Sequence, residues 1–159
     1  MPQFSKATLE KEGMRVDFHW QGDRFGHTVS RVRDGQVTAV WRSAPTDDRA
    51  PAFQELHEQT TGDGNKILFL SGSGGGAHWS VAVEQDGKAI AFDVAVRVAK
   101  GSVAREVVYE KVAEGDAPLL GCGHMIGSSR LEESRVIFLP EPTAAAEPPC
   151  TLRLKYAFF

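Results

Sequence analysis

His78, Ser80 and Asp93 are the residues whose types and spacing come nearest to a catalytic set. Asp86-Gly87 is a turn signal, because glycine and aspartate accept the positive φ that tight hairpins need. Folding residues 79–85 back on 88–98 about this turn sets Val83 opposite Ile90, Val81 opposite Phe92 and Trp79 opposite Val94. On the other face Ser80 then meets Asp93, and His78 lies on that face two residues before Ser80. A hydroxyl, an imidazole and a carboxylate within reach of one another are the parts of an acyl-transfer enzyme. Ser80 lies inside a strand, however, and not on a strained Gly-x-Ser-x-Gly elbow. A cross-strand Ser80–Asp93 hydrogen bond, with Arg97 neutralising the carboxylate, accounts for the same residues.

A second set suits ligand binding. Residues 14–20 and 25–29 flank a turn at Gly22-Asp23, which sets Trp20 opposite Phe25, Phe18 opposite His27 and Val16 opposite Val29. His27 therefore sits on an aromatic and aliphatic face. A histidine in that setting is either a core residue satisfied by one hydrogen bond or a polar contact in an apolar ligand cavity. Trp20, Trp41 and Trp79 are candidates to line the same space.

Two further signals lack their context. Gly72-Ser-Gly-Gly-Gly-Ala77 follows a strand and matches a dinucleotide fingerprint, but the next segment is another strand and not the helix that must receive the pyrophosphate. The five histidines are His19, His27, His57, His78 and His124, and Cys122-Gly-His124 puts two ligand types on one strand face. No C-x-x-C or H-x-x-x-H pair accompanies them, so no metal site and no cofactor is expected.

The elements that must position these residues are mostly strands, since apolar and polar residues alternate through much of the chain. Strands are expected at 14–20, 25–33, 36–42, 66–70, 79–85, 88–98, 103–112, 134–139 and 150–159. Asp34-Gly35 marks a hairpin, and a slip in apolar phase between Val29 and Val32 marks a bulge. Pro51 opens a short helix carrying Phe53, Leu56 and His57, and Ser129-Arg-Leu-Glu132 reads as a capping box for one helical turn. Residues 44–51 and the proline-rich 140–149 read as surface connections. The expected architecture is all-β: one domain over 1–159, an antiparallel sandwich or barrel-like fold of about nine or ten strands with one or two short helices.

Composition narrows the functional classes. The net charge of −3 comes with scattered basic residues, which excludes a phosphate-binding patch and points away from nucleic acid. No apolar run reaches the roughly 18 residues of a helical membrane span. The N-terminus lacks an apolar secretory core, so the expectation is a cytoplasmic protein with Cys122 and Cys150 reduced. The sequence names no reaction. The favoured reading is a non-catalytic module binding a small molecule or a protein. The alternatives are a small hydrolase using the Ser80 cluster and a structural or regulatory partner-binding protein.

Overall fold

The computed structural model describes residues 6–11, 13–44, 47, 49–112, 120–141 and 147–159. Thirteen strands run through them: β1 (Lys6–Lys11), β2 (Met14–Trp20), β3 (Phe25–Arg33), β4 (Gln36–Ser43), β5 (Glu55–Thr60), β6 (Lys66–Gly74) and β7 (Ala77–Asp86) come first. Then follow β8 (Ala89–Val98), β9 (Val107–Lys111), β10 (Cys122–Ile126), β11 (Ser128–Glu132), β12 (Arg135–Leu139) and β13 (Cys150–Phe158). Every paired neighbour is antiparallel. One sheet has seven strands in the order β1-β2-β3-β4-β9-β12-β11, and the other has six in the order β10-β13-β8-β7-β6-β5. The two lie face to face around a core that includes Phe18, Val29, Trp79, Phe92, Phe138, Leu154 and Phe158. Gly127 carries the chain from β10 in one sheet to β11 in the other, with φ +103°, and a Cβ there would lie 2.4 Å from the Leu139 carbonyl oxygen. The all-β, antiparallel expectation holds, and of the two expected forms, sandwich and barrel, the two separate sheets make the sandwich-like one.

Alternation explains which face each strand buries. Val16, Phe18, Phe25 and Val29 turn inward from β2 and β3, in the register expected from the sequence. Asp34 and Gly35 take φ of 53° and 78°, as a type I′ turn requires. The expected bulge lies where Val29 pairs with Trp41 and Ser30 with Ala39. Val40 is the extra residue, so Val40 and Trp41 are both buried although they are neighbours in sequence.

Four expectations change. Strands β1, β5, β10 and β11 add to the nine read from the sequence, making thirteen. The described residues contain no helix. Residues 55–60 pair along β6, with Leu56 opposite Leu70, because a ladder supplies backbone partners that a single short helix cannot. Ser129 to Glu132 likewise pairs with β12, and the Glu132 carboxylate binds Arg130 and Arg135 instead of capping a helix.

The fourth change is the β7–β8 register, which sets Val83 opposite Phe92, Val81 opposite Val94 and Trp79 opposite Val96. Gly87 takes the first central turn position with φ 60°, and Lys88 takes the second. This is the type II′ preference for glycine, and it displaces the Asp-Gly pairing by one residue. The partner of each β7 residue then moves by two, so the inner and outer faces are unchanged.

Cys122 pairs opposite Phe158, whereas Cys150 begins the same β13 strand eight residues earlier. At ~3.4 Å per residue that separation is far beyond the reach of a disulfide. Residues 45, 46 and 48 of the 44–51 connection, and 142–146 of the proline-rich one, lie outside the described residues. No helix among the described residues is long and apolar enough to cross a membrane.

Candidate functional site

One end of the sandwich is framed by the β2–β3 turn, the end of β4, the β6–β7 turn and the segment 50–54. That segment spans both sheets: Phe25 N–H donates to the Phe53 carbonyl (2.8 Å), and Gln54 N–H donates to the Ser71 carbonyl (2.8 Å). Gly72 makes this approach feasible, since a Cβ there would lie 1.8 Å from the Ala52 carbonyl oxygen. Gly75 and Gly76, with φ of 58° and 77°, form the type I′ turn from β6 to β7. The glycine run thus serves a hairpin and a close backbone crossing, and the strand β7 follows it directly.

Between these elements lies a polar cleft of about 490 Å³, walled by Gln21, Asp23, Arg24, Asp47, Ala50, Ala52, Gln54 and the glycine turn. Gln21 and Arg24 also wall a narrower slot of about 30 Å³ that leads into the core. Its other walls include Phe25, His27, Ser43, Pro51, Phe53, Val94, Val107 and Tyr156. A water needs roughly 10–15 Å³ measured in this way, so the slot suits a group of a few atoms. Arg24 spans the mouth, donating from Nη1 to the Pro51 carbonyl (3.1 Å) and from Nε to Asp23 (3.3 Å). The Gln21 side chain lies across Gly26, where a Cβ would be 2.2 Å from Gln21 Nε2.

His27 stands in the wall of this slot. Its ring is stacked between Phe18, at 4.7 Å between centroids, and Phe92, at 5.4 Å. Nε2 shares a 2.6 Å hydrogen bond with the Tyr109 hydroxyl, which shares another of 2.6 Å with the Tyr156 hydroxyl. The chain has two tyrosines in all, and both belong to this buried link between the sheets. Burial among aromatic rings, with a smaller contribution from the positive charge His19 can carry, lowers the His27 pKa to about 3. The imidazole is therefore neutral at pH 7. Burial likewise raises both tyrosine pKa values, so both remain phenols. Among the described residues Nδ1 of His27 has no hydrogen-bond partner, and the residue lines the slot. The His27 backbone N–H is satisfied separately by Ser43 Oγ at 2.9 Å.

The tryptophans take other positions. Trp79 is fully buried and packs edge-on against Phe53, with ring centroids 6.4 Å apart. Trp41 donates from Nε1 to the Leu120 carbonyl at 3.3 Å, and Trp20 packs edge-on against Phe25 at 5.1 Å. None of the three is a wall of the slot. Tyr109 and Tyr156 were the residues missing from the sequence reading. Their signal was available: each replaces an aliphatic residue on an inward-facing strand position, and a buried phenol needs a partner.

The Ser80 cluster lies on the outer face of the six-stranded sheet. The two-residue change of register sets Ser80 opposite Ala95 and Asp93 opposite Ala82, so the expected Ser80–Asp93 pair is not formed. Arg153, not Arg97, holds Asp93, at 2.9 Å. His78 pairs opposite Arg97 and shares a 3.0 Å hydrogen bond through Nδ1 with Ser73. Four residues along β7 separate His78 from Ala82, the partner of Asp93, or ~13 Å of strand. Ser80 and Asp93 border a shallow groove of about 350 Å³ together with His57 and Phe69. No group of three or more metal-ligating side chains occurs among the described residues, and Cys122 is a half-buried thiol whose pKa burial raises. His124 instead shares a 2.7 Å hydrogen bond with Ser129 Oγ.

The chain matches no protein-family model, no curated protein and no solved structure. Geometry alone carries the functional reading.

Proposed function

We propose that this protein is a small-molecule-binding β-sandwich whose site is the cleft and slot at the Gln21–Arg24 end, with His27 as the inner polar contact. The observation that carries this reading is the His27 imidazole in the wall of an apolar slot, with Nδ1 lacking a hydrogen-bond partner among the described residues. Ligand sites combine apolar walls with a few placed polar groups, and the polar mouth continuing into an apolar slot has that character. A ligand matched to it has a small head that enters the slot and a more polar remainder held near Gln21, Arg24 and Asp47. Hydrolysis by His78, Ser80 and Asp93 is the weaker reading, because base and carboxylate stand too far apart along the strands.

Mapping amide and methyl resonances by NMR while adding short-chain alcohols, amides and esters tests the proposal. Saturable shifts at Phe25, His27, Ser43, Phe53 and Val94 are expected. Shifts confined to Phe69, Ser80 and Ala82 would overturn it in favour of the outer groove.

A further inference from the structure

Building on the binding site just proposed, the hydrogen-bond chain behind the slot carries information about the ligand's head group. The Tyr109 hydroxyl has one proton and already bonds to two groups, His27 Nε2 and the Tyr156 hydroxyl. Its proton points one way or the other, and that choice orients the whole chain. In one direction Tyr156 donates to Tyr109, Tyr109 donates to His27 Nε2, and the imidazole proton resides on Nδ1. In the other, Nε2–H donates to Tyr109, Tyr109 donates to Tyr156, and the Tyr156 O–H is left to donate outward while Nδ1 accepts.

Tyr156, like His27, is a wall of the slot. Each direction therefore offers one donor and one acceptor at the two ends of the chain, never two of a kind. We propose that the inner end of the site takes a neutral head group bearing one donor and one acceptor, of the primary-amide class, and that the His27–Tyr109–Tyr156 chain reverses to match its polarity. Reversal moves each bridging proton across its own hydrogen bond, gives up the Nδ1 proton at one end and takes one up at the Tyr156 oxygen. The total number of protons is unchanged, because solvent takes the Nδ1 proton and supplies the one gained at Tyr156. The amide exchanges no proton and only accepts a hydrogen bond at one end and donates one at the other. A ketone satisfies only one of the two ends. Arg24 is the charged wall of the slot, but it stands at the mouth and already binds Asp23 and the Pro51 carbonyl. A carboxylate or an ammonium group carried to the inner end would therefore be stripped of water without a free counter-charge.

The test uses four probes of similar size: butyramide, methyl propyl ketone, butyrate and propylammonium. The readout is the pair of His27 ring-nitrogen resonances, which distinguish the two imidazole tautomers and report occupancy together. Ligands with so few atoms should bind in about the millimolar range. Butyramide should shift the ring nitrogens saturably, the ketone should bind about tenfold more weakly as one hydrogen bond is lost, and both ions should bind more weakly still. In Tyr156→Phe, Tyr109 has only Nε2 to donate to. The ring should then hold its proton on Nδ1, and the preference for amide over ketone should collapse. Tyr109→Phe disconnects the two ends and serves the same purpose if Tyr156→Phe fails to fold. Equal binding of amide and ketone at His27, or a preference that survives both substitutions, overturns the head-group assignment and leaves the site standing. Failure of every probe to perturb the slot residues removes the site as well.

Discussion

His27 and His78 each share a hydrogen bond with a hydroxyl, and the two pairs differ mainly in where water is. His27 is sandwiched between Phe18 and Phe92 inside the core, 2.6 Å from Tyr109. His78 stands exposed on the outer face of β7, 3.0 Å from Ser73. In water the His78–Ser73 bond competes with solvent and contributes little. Inside, the same kind of bond is stronger, and loss of a partner strands a polar group in a low-dielectric environment. Buried polar groups in this fold are therefore where substitution should tell, and the outer face is where it should not.

Neighbouring positions on β8 provide the largest contrast. Phe92 is 1% exposed and stacks on both His27 and Tyr156, while Asp93 points outward to Arg153. Phe92→Ala should cost about 3–5 kcal/mol in denaturant unfolding. Asp93→Ala should cost at most about 1 kcal/mol, since it breaks only a surface ion pair. Comparable losses at the two positions would mean that the β8 faces are misassigned.

Acid should test the sequestration of His27 next. The folded pKa of His27 is about 3, below the ordinary 6.5, so between these values the unfolded chain binds a proton that the native one refuses. Stability should fall as pH drops through that window, by up to about 1.4 kcal/mol per unit from this residue, and its contribution should level off below pH ~3. Above pH ~6.5 the imidazole is neutral in both states and adds no slope. The difference in unfolding free energy between wild type and His27→Phe, followed from pH 7 to 4, isolates this contribution. A pH-independent difference would show that the imidazole is not sequestered.

Removing the hydroxyl partners sharpens the contrast further. Tyr109→Phe leaves His27 Nε2 without its bond and should cost about 1–3 kcal/mol. Ser73→Ala beside His78 should stay within about 0.5 kcal/mol. The smallest effect is expected at Ser80. It should remain unlabelled by a fluorophosphonate probe in the folded protein, because no base is placed to activate it, and specific labelling would restore the hydrolase reading.

Much of the fold was legible in residue order because strand faces follow a period of two. Hairpins announced by Asp34-Gly35 and by the Gly22 turn could be registered pair by pair, and His27 could be set opposite Phe18 without coordinates. Local patterns failed where a choice depended on distant partners. Phe53, Leu56 and His57 have helix-like spacing and Ser129 to Glu132 fits a capping box, yet residues 55–60 and 128–132 each lie beside a strand edge, and pairing with β6 or β12 decides the matter. The Asp86-Gly87 signal was correct in kind but off by one in position, because glycine suits the first central position of a II′ turn as readily as the second of a I′ turn.

By itself, then, the sequence determined an antiparallel all-β chain, the inward face of its central strands and a histidine on one of those faces. Only the tertiary structure decided that His27 meets Tyr109, 82 residues away, and that Tyr156 of the last strand completes the link. Pattern along a strand reports which way a side chain points, through local backbone geometry. Which residues share one enclosed space depends on the order of strands in two sheets and on their packing, and no local spacing encodes that order.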